Sequence, residues 1–308
     1  MYHKSVTELS SLTAEAFKTF LDSFDTVLTD CDGVLWLEMK ALEGSPDVIN
    51  TLQDLGKKIF YVTNNSTKLR EDFEKKGKLL GFKCQLDQMV STSYIAAEYL
   101  KAKGVQKAYV IGSTGISQEL DKVGIENFGI GPDILNSELG KLVENYQPES
   151  NVKAVVVGFD PHISYVKLMK ASSYLGDPEC HFIATNTDES FPASQNLIIP
   201  GTGTFVSAVA TCSGRDPTVM GKPHHFIVDA ISKNYKINPA RTLMIGDRCN
   251  TDIMLGSNCG FQTLLVLTGV HQLKDVKNFT ETKQEGLVPD FYLPKLGDML
   301  PLIQQVIN

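Results

Sequence analysis

The chain has 308 residues, 42% hydrophobic and 21% charged, with a formal net charge of −7. At about 100–200 residues per domain, that length suits two domains or one large domain with an insertion, and the composition excludes a disordered or collagen-like chain. The acidic balance argues against nucleic acid or an anionic membrane as main partner, and no run reaches the ~20 apolar residues of a membrane-spanning helix.

From Met1 to Phe24 the chain mixes Lys4, Glu8, Glu15 and Lys18 with apolar residues, unlike the unbroken core of a signal peptide, so a soluble cytoplasmic protein is expected. The six cysteines, Cys31, Cys84, Cys180, Cys212, Cys249 and Cys259, show no CxxC spacing, which favours reduced thiols over a disulfide framework or zinc site. The first apolar run, Thr26 to Thr29, stops at Asp30-Cys31-Asp32-Gly33. Two carboxylates one residue apart at a strand end can face one crevice, where their repulsion calls for a divalent cation or hydrogen-bond donors. A turn in which both aspartates merely cap the next segment is the simpler alternative. Cys31, between them, suits an apolar position on the opposite face better than a redox switch.

A second run, Lys58 to Val62, ends at Thr63-Asn64-Asn65-Ser66-Thr67. Hydroxyl, amide and free N–H groups ahead of a helix form an anion site, with Ser66 or Thr67 as alternative helix caps. Leu69, Phe73, the stem of Lys76 and Leu80 recur at helical steps before Gly81. Strands at Lys107–Gly112, Val152–Gly158 and His181–Thr185 and a helix at Ser164–Leu175 form a middle block amid Gly- and Pro-rich punctuation. Residues 106–216 are therefore read as an inserted domain, with 1–105 and 217–308 as the core. Gly221-Lys222-Pro223 then returns the chain to the sheet, with Pro223 expected to open a helix bearing Phe226, Ile227, Ala230 and Ile231 on one face. Thr242 to Ile245 precedes Gly246-Asp247-Arg248-Cys249-Asn250-Thr251-Asp252; there Asp247 could join Asp30 and Asp32 around one metal, with Thr251 as helix N-cap and Asp252 in the first turn. A last run covers Thr263 to Leu267. Unalternated runs alternating with helices specify an α/β fold on a Rossmann-like parallel sheet, whose ligands bind at the carboxyl ends of the strands.

In order, DCDG at 30–33, TNNST at 63–67, GKP at 221–223 and GDRCNTD at 246–252 resemble the haloacid dehalogenase superfamily of phosphatases. With Leu267-Thr268-Gly269-Val270, they look specifically like its nitrophenyl phosphatase branch, which includes phosphoglycolate and pyridoxal phosphate phosphatases. The resemblance implies an α/β cap of the C2 type after the second motif, because 33 positions separate Asp30 from Thr63 but 159 separate Thr63 from Lys222. It further implies Asp30 as nucleophile and Asp32 as acid and base. Mg²⁺ would be held by Asp30, the main-chain carbonyl of Asp32, and Asp247. Thr63, Asn64 and Asn65 would take the phosphoryl oxygens, Lys222 would neutralise charge, and Asp252 would support Lys222 or a metal-bound water. Phe191, in the cap loop 185–192, would contact substrate where pyridoxal phosphatases carry an imidazole. The implied partner is a small phosphorylated metabolite of phosphoglycolate or p-nitrophenyl phosphate type. Rivals are a pyridoxal phosphate phosphatase, a phosphotransferase on the same fold, a phosphoprotein phosphatase and an inactive scaffold. Relatives pair through their caps, so a homodimer is expected.

Overall fold

A computed structural model describes residues 6–135, 138–191 and 197–307. The chain divides into two compact units: Met1–Thr63, Glu71–Val90 and Lys222–Asn308 form one, and Asn64–Arg70 with Ser91–Gly221 the other. In the first, strands Thr7–Glu8, Phe291–Leu293, Gln262–Val266, Thr242–Gly246, Thr26–Thr29, Lys58–Thr63 and Met89–Ser91 lie side by side in that order. The first six of these run parallel. Every residue of Thr26–Thr29 and Thr242–Gly246 is buried, as expected of strands covered on both faces. One face packs Val27, Leu243, Ile245 and Leu264 against Phe17, Phe20, Val48, Ile49, Met299 and Ile303 from the flanking helices.

Register positions the chemistry. Thr29 lies opposite both Ile245 and Tyr61, so the three strands end within two residues of one another at one edge. Asp30 N–H donates to the Ile245 carbonyl at 2.9 Å, which carries the pairing one step past the strand and brings Asp30 level with Gly246. The strand order thus joins segments that are distant in sequence at the carboxyl edge of the two central strands.

Two helix starts differ from the sequence reading. The helix after the TNNST segment runs Arg70–Leu79, beyond Ser66 and Thr67, and its first N–H is capped by Glu119 Oε1 at 3.0 Å. A long-range carboxylate has taken the capping job that local hydroxyls were expected to do. The helix after GKP runs Phe226–Ser232 rather than starting at Pro223; Ile227 and Ile231 are its buried pair. Among the described residues, no helix is long and apolar enough to cross a membrane.

In the second unit, strands Thr218–Val219, His181–Ala184, Ala154–Val157, Lys107–Ile111 and Glu126–Phe128 form a parallel sheet in that order. Helices Tyr165–Leu175 and Thr202–Ser213 contribute Ala171, Leu175, Val206 and Val209 to its core. Inside this apolar layer, Lys167 Nζ meets Asp160 Oδ2 at 2.5 Å, both side chains fully buried, and Asp160 Oδ1 also accepts the His162 N–H at 2.8 Å. Removing one partner of such a pair strands the other charge in a low dielectric, at a cost of about 3–5 kcal/mol. Lys167→Met should therefore lower the unfolding free energy of this unit by an amount in that range, seen as a lower urea midpoint by circular dichroism. An unchanged midpoint would show that Asp160 is satisfied without its lysine.

Candidate active site

At the sheet's carboxyl edge, Asp30, Asp247 and Asp252 each place a carboxylate oxygen within 4.8 Å of the others. Asp252 is buried and Asp247 nearly so, while 13% of the Asp30 side chain stays exposed. Lys222 Nζ lies 2.5 Å from Asp30 Oδ1 and 2.8 Å from Asp252 Oδ1, and donates to the Val62 carbonyl at 3.1 Å. Burial would push the lysine's pKa down, but the Asp252 and Asp30 carboxylates outweigh it and hold the ammonium charged well above the ordinary range. Burial, followed by repulsion from Asp30 and Asp252, raises the Asp247 carboxyl; burial also raises Asp252, against the pull of Lys222. One ammonium cannot balance three carboxylates.

The backbone is shaped around Asp247. Its Oδ2 accepts the Val270 N–H at 2.8 Å and its carbonyl accepts the His271 N–H at 3.0 Å, while Thr268 Oγ1 donates to the Gly33 carbonyl at 2.5 Å. A Cβ on Gly269 would fall 1.9 Å from Asp247 Oδ2, and one on Gly33, at φ +92°, would fall 2.9 Å from the same oxygen. Both glycines are there because the carboxylate is. Asp252 sits in a π-helical turn, Cys249–Ile253, that runs into helix Met254–Cys259. The expected Thr251 cap is replaced by Asp252 itself, whose Oδ2 accepts the Arg248 N–H at 3.1 Å while Oδ1 faces Lys222. Capping and function are one side chain here. His271 Nδ1 accepts the Cys249 N–H at 2.9 Å and so pins the start of the π turn.

Asp32 lies apart from the three-carboxylate group: it bridges to Trp36 through the backbone, and its side chain, 43% exposed, meets Lys76 Nζ at 3.4 Å. Cys31 is 1% exposed with its thiol pushed well above the ordinary range by burial, which suits an inert apolar position. Thr63 ends its strand buried. In the second unit, Asn64 Nδ2 donates to Asp188 Oδ1 at 3.1 Å, and its carbonyl accepts from Asn186 Nδ2 at 2.8 Å and Thr92 Oγ1 at 2.9 Å. Asn65 Oδ1 accepts the N–H and hydroxyl of Thr67, closing a turn. Phe191 belongs to strand Ser190–Phe191; its side chain is outside the described residues. Sequence reasoning missed the Val270 amide and Lys76, and it gave Asp188 only as part of the loop 185–192, without its Asn64 partner. A backbone amide carries no signal in residue type, and Lys76 was legible only as one residue on a helix face.

A parallel α/β core with acidic groups gathered at adjoining strand ends defines a Rossmann-like protein with a carboxylate-lined site at the sheet's carboxyl edge. Residues 27–126 match the haloacid dehalogenase-like hydrolase family, and 219–298 match a further HAD-hydrolase-like family. The chain is 43% identical to the glycerol-3-phosphate phosphatase of Rattus norvegicus over 95% of each, and 36% identical to the 4-nitrophenylphosphatase of Schizosaccharomyces pombe over 92% of this chain and 95% of that one. It also resembles the p-nitrophenyl phosphatase from Archaeoglobus fulgidus, with a TM-score of 0.77 and 27% identity over 91% of this chain and 99% of that chain. The chain belongs to the haloacid dehalogenase-like hydrolases and is a phosphatase among them.

The donor set fits a hard divalent cation. Carboxylate oxygens are the ligands such ions prefer, and the excess negative charge has no better remedy at this depth. Two expectations follow. Gly269→Ala drives a methyl into Asp247 and should weaken Mg²⁺ binding at least tenfold by calorimetry; unchanged affinity would remove Asp247 from the ligand set. Because burial raises the Asp247 and Asp252 carboxyls, protons compete with the ion up to higher pH than at ordinary carboxylates. The rise in melting temperature on adding a fixed Mg²⁺ concentration should therefore shrink as pH falls from 8 to 5.5, and a pH-independent rise would contradict this. At about a hundred times Kd, the ion contributes about 2.7 kcal/mol.

Proposed function

We propose that the protein is a Mg²⁺-dependent phosphomonoester hydrolase acting through an aspartyl-phosphate on Asp30. The observation that carries this reading is the Asp30 carboxylate itself. Of the three grouped acids it is the most exposed, and Lys222 contacts it while Asp252 anchors that lysine from the other side. A nucleophile must be reachable, as Asp30 is, and its charge must not repel an anionic ester, which Lys222 together with a bound divalent ion would prevent.

Asp30 Oδ attacks phosphorus in line, forming the P–O bond to the enzyme as the ester P–O bond breaks. The Asp32 carboxyl gives its proton to the departing alkoxide, leaving as products an alcohol and an acyl phosphate. Asp32, now a carboxylate, takes a proton from water, whose oxygen attacks the same phosphorus and returns Asp30 as carboxylate with phosphate released. Burial pushes the Asp32 carboxyl above the ordinary range despite the Lys76 ammonium, the direction a proton donor requires. Lys222 offsets the charge that gathers on Asp30 and the phosphoryl group, and Thr63, Asn64 and Asn65 are assigned to hold the phosphoryl oxygens. Mg²⁺, held by Asp30, Asp247 and the Asp32 carbonyl, with Asp252 in support, would neutralise phosphoryl charge.

Residues 106–216 are proposed as a cap domain, with Phe191 assigned to substrate contact, and the protein as a cytoplasmic homodimer paired through that cap. The substrate is proposed to be a small acyclic phosphate. The name of the rat relative, a glycerol-3-phosphate phosphatase, supports this over a pyridoxal phosphate. Asp30→Asn should abolish Mg²⁺-dependent phosphate release from p-nitrophenyl phosphate, by at least 10³-fold, with an unchanged circular dichroism spectrum; retained turnover would remove Asp30 as nucleophile. In a panel of glycerol 3-phosphate, 2-phosphoglycolate and pyridoxal 5′-phosphate, the acyclic esters should have the higher kcat/KM, and pyridoxal 5′-phosphate ranking first would refute the substrate assignment.

A further inference from the structure

The reading of Asp32 as proton donor leaves open what fixes its direction. Its side chain is 43% exposed, and Asp30, two residues earlier, repels it. Left to itself, such a carboxylate samples several rotamers, few of which serve any one proton transfer.

Lys76 supplies the missing constraint. It is carried on helix Arg70–Leu79, whose fit against the sheet is set by buried Phe73 and by Gly77, where a Cβ would meet Cys84 Sγ at 2.6 Å. From there its Nζ reaches to 3.4 Å from Asp32 Oδ1 and lies 4.6 Å from the Trp36 ring centroid, leaving 12% of the lysine side chain exposed. Trp36 is a rigid floor. It is fully buried, packs edge-on to Phe82 at 5.6 Å, and its carbonyl accepts the Gly33 N–H at 2.9 Å. The loop from Asp32 to Trp36 thus folds back on itself, with Lys76 touching both of its ends. An ammonium held between an indole face and a carboxylate has little freedom, unlike a solvated surface lysine.

We propose that Lys76 is a positioning residue: anchored on Trp36, it holds the Asp32 carboxyl in one orientation, turned from Asp30, so that leaving-group protonation starts from a fixed place. The proposal rests on Asp32 being the acid of the reaction above. The pattern is then a paired one, with Lys222 serving Asp30 and Lys76 serving Asp32.

Lys76→Met keeps the stem over Trp36 and removes the charge; Lys76→Gln and Lys76→Arg complete the series. The readout is kcat/KM, which reports phosphoryl transfer to the enzyme, for glycerol 3-phosphate and for 2,4-dinitrophenyl phosphate, whose leaving group needs no proton. Lys76→Met and Lys76→Gln should lose about 10- to 100-fold on the alkyl ester, part of the 10²–10⁴ that general acid catalysis supplies, and less than about threefold on the aryl ester. Lys76→Arg should recover most of the alkyl activity. Equal losses on both esters, no loss, or no recovery by arginine would overturn the proposal, and if the methionine variant does not fold, the glutamine and arginine pair decides it. Asp32→Asn is measured alongside: if it too loses both esters equally, the assignment of Asp32 has failed. If it discriminates while the Lys76 variants do not, only the role of Lys76 has.

Discussion

Asp30, Asp247 and Asp252 bring three carboxylates to within 4.8 Å of one another where solvent cannot screen them. Like charges at that distance and depth repel strongly, so nearly everything around them is compensation. Lys222 bonds to two of the acids from one side. Main-chain N–H groups of Val270 and Arg248 meet the other oxygens. Gly33 and Gly269 leave room for Asp247 where any side chain would collide. The charge still unbalanced is what a divalent ion would take up, and it makes the site an acceptor for an anion only when that ion is present.

The cluster costs stability and is held in place by the sheet. Thr29 pairs opposite Ile245, and the Asp30 N–H bonds to the Ile245 carbonyl, so the strand pairing fixes Asp30 relative to Asp247. The π-helical turn at Cys249–Ile253 does the same for Asp252, letting one carboxylate satisfy the Arg248 amide and face Lys222 together. Fold and chemistry are therefore not separable here. The residues that complete the strand edge are also those assigned to the proposed reaction.

Much of this was legible in the sequence, and the reasons are physical. Apolar runs without alternation marked the strands at Thr26 and Thr242, and an acidic residue directly after each marked the edge at which both leave the sheet. What stayed hidden depended on distant partners or on the main chain. Glu119 caps the helix at Arg70 from far along the chain, so Ser66 and Thr67 looked like better caps than they are. Asp252 does lie in the first turn, as expected, but Thr251 looked like its N-cap because a π turn that starts at Cys249 has no signature in residue type. Lys76 looked like the stem of an amphipathic face; only the fold-back of Asp32 to Trp36 shows that its ammonium has a place.

Central to this account is a single cation-binding centre formed by acids from separate strands. Crystals grown with Mn²⁺, a scatterer that mimics Mg²⁺, test it directly through anomalous differences at the manganese edge. The account predicts one strong peak per chain lying about 2.0–2.3 Å from oxygens of Asp30 and Asp247. A well-ordered site with no such peak, or a peak ligated elsewhere in the chain, would contradict it.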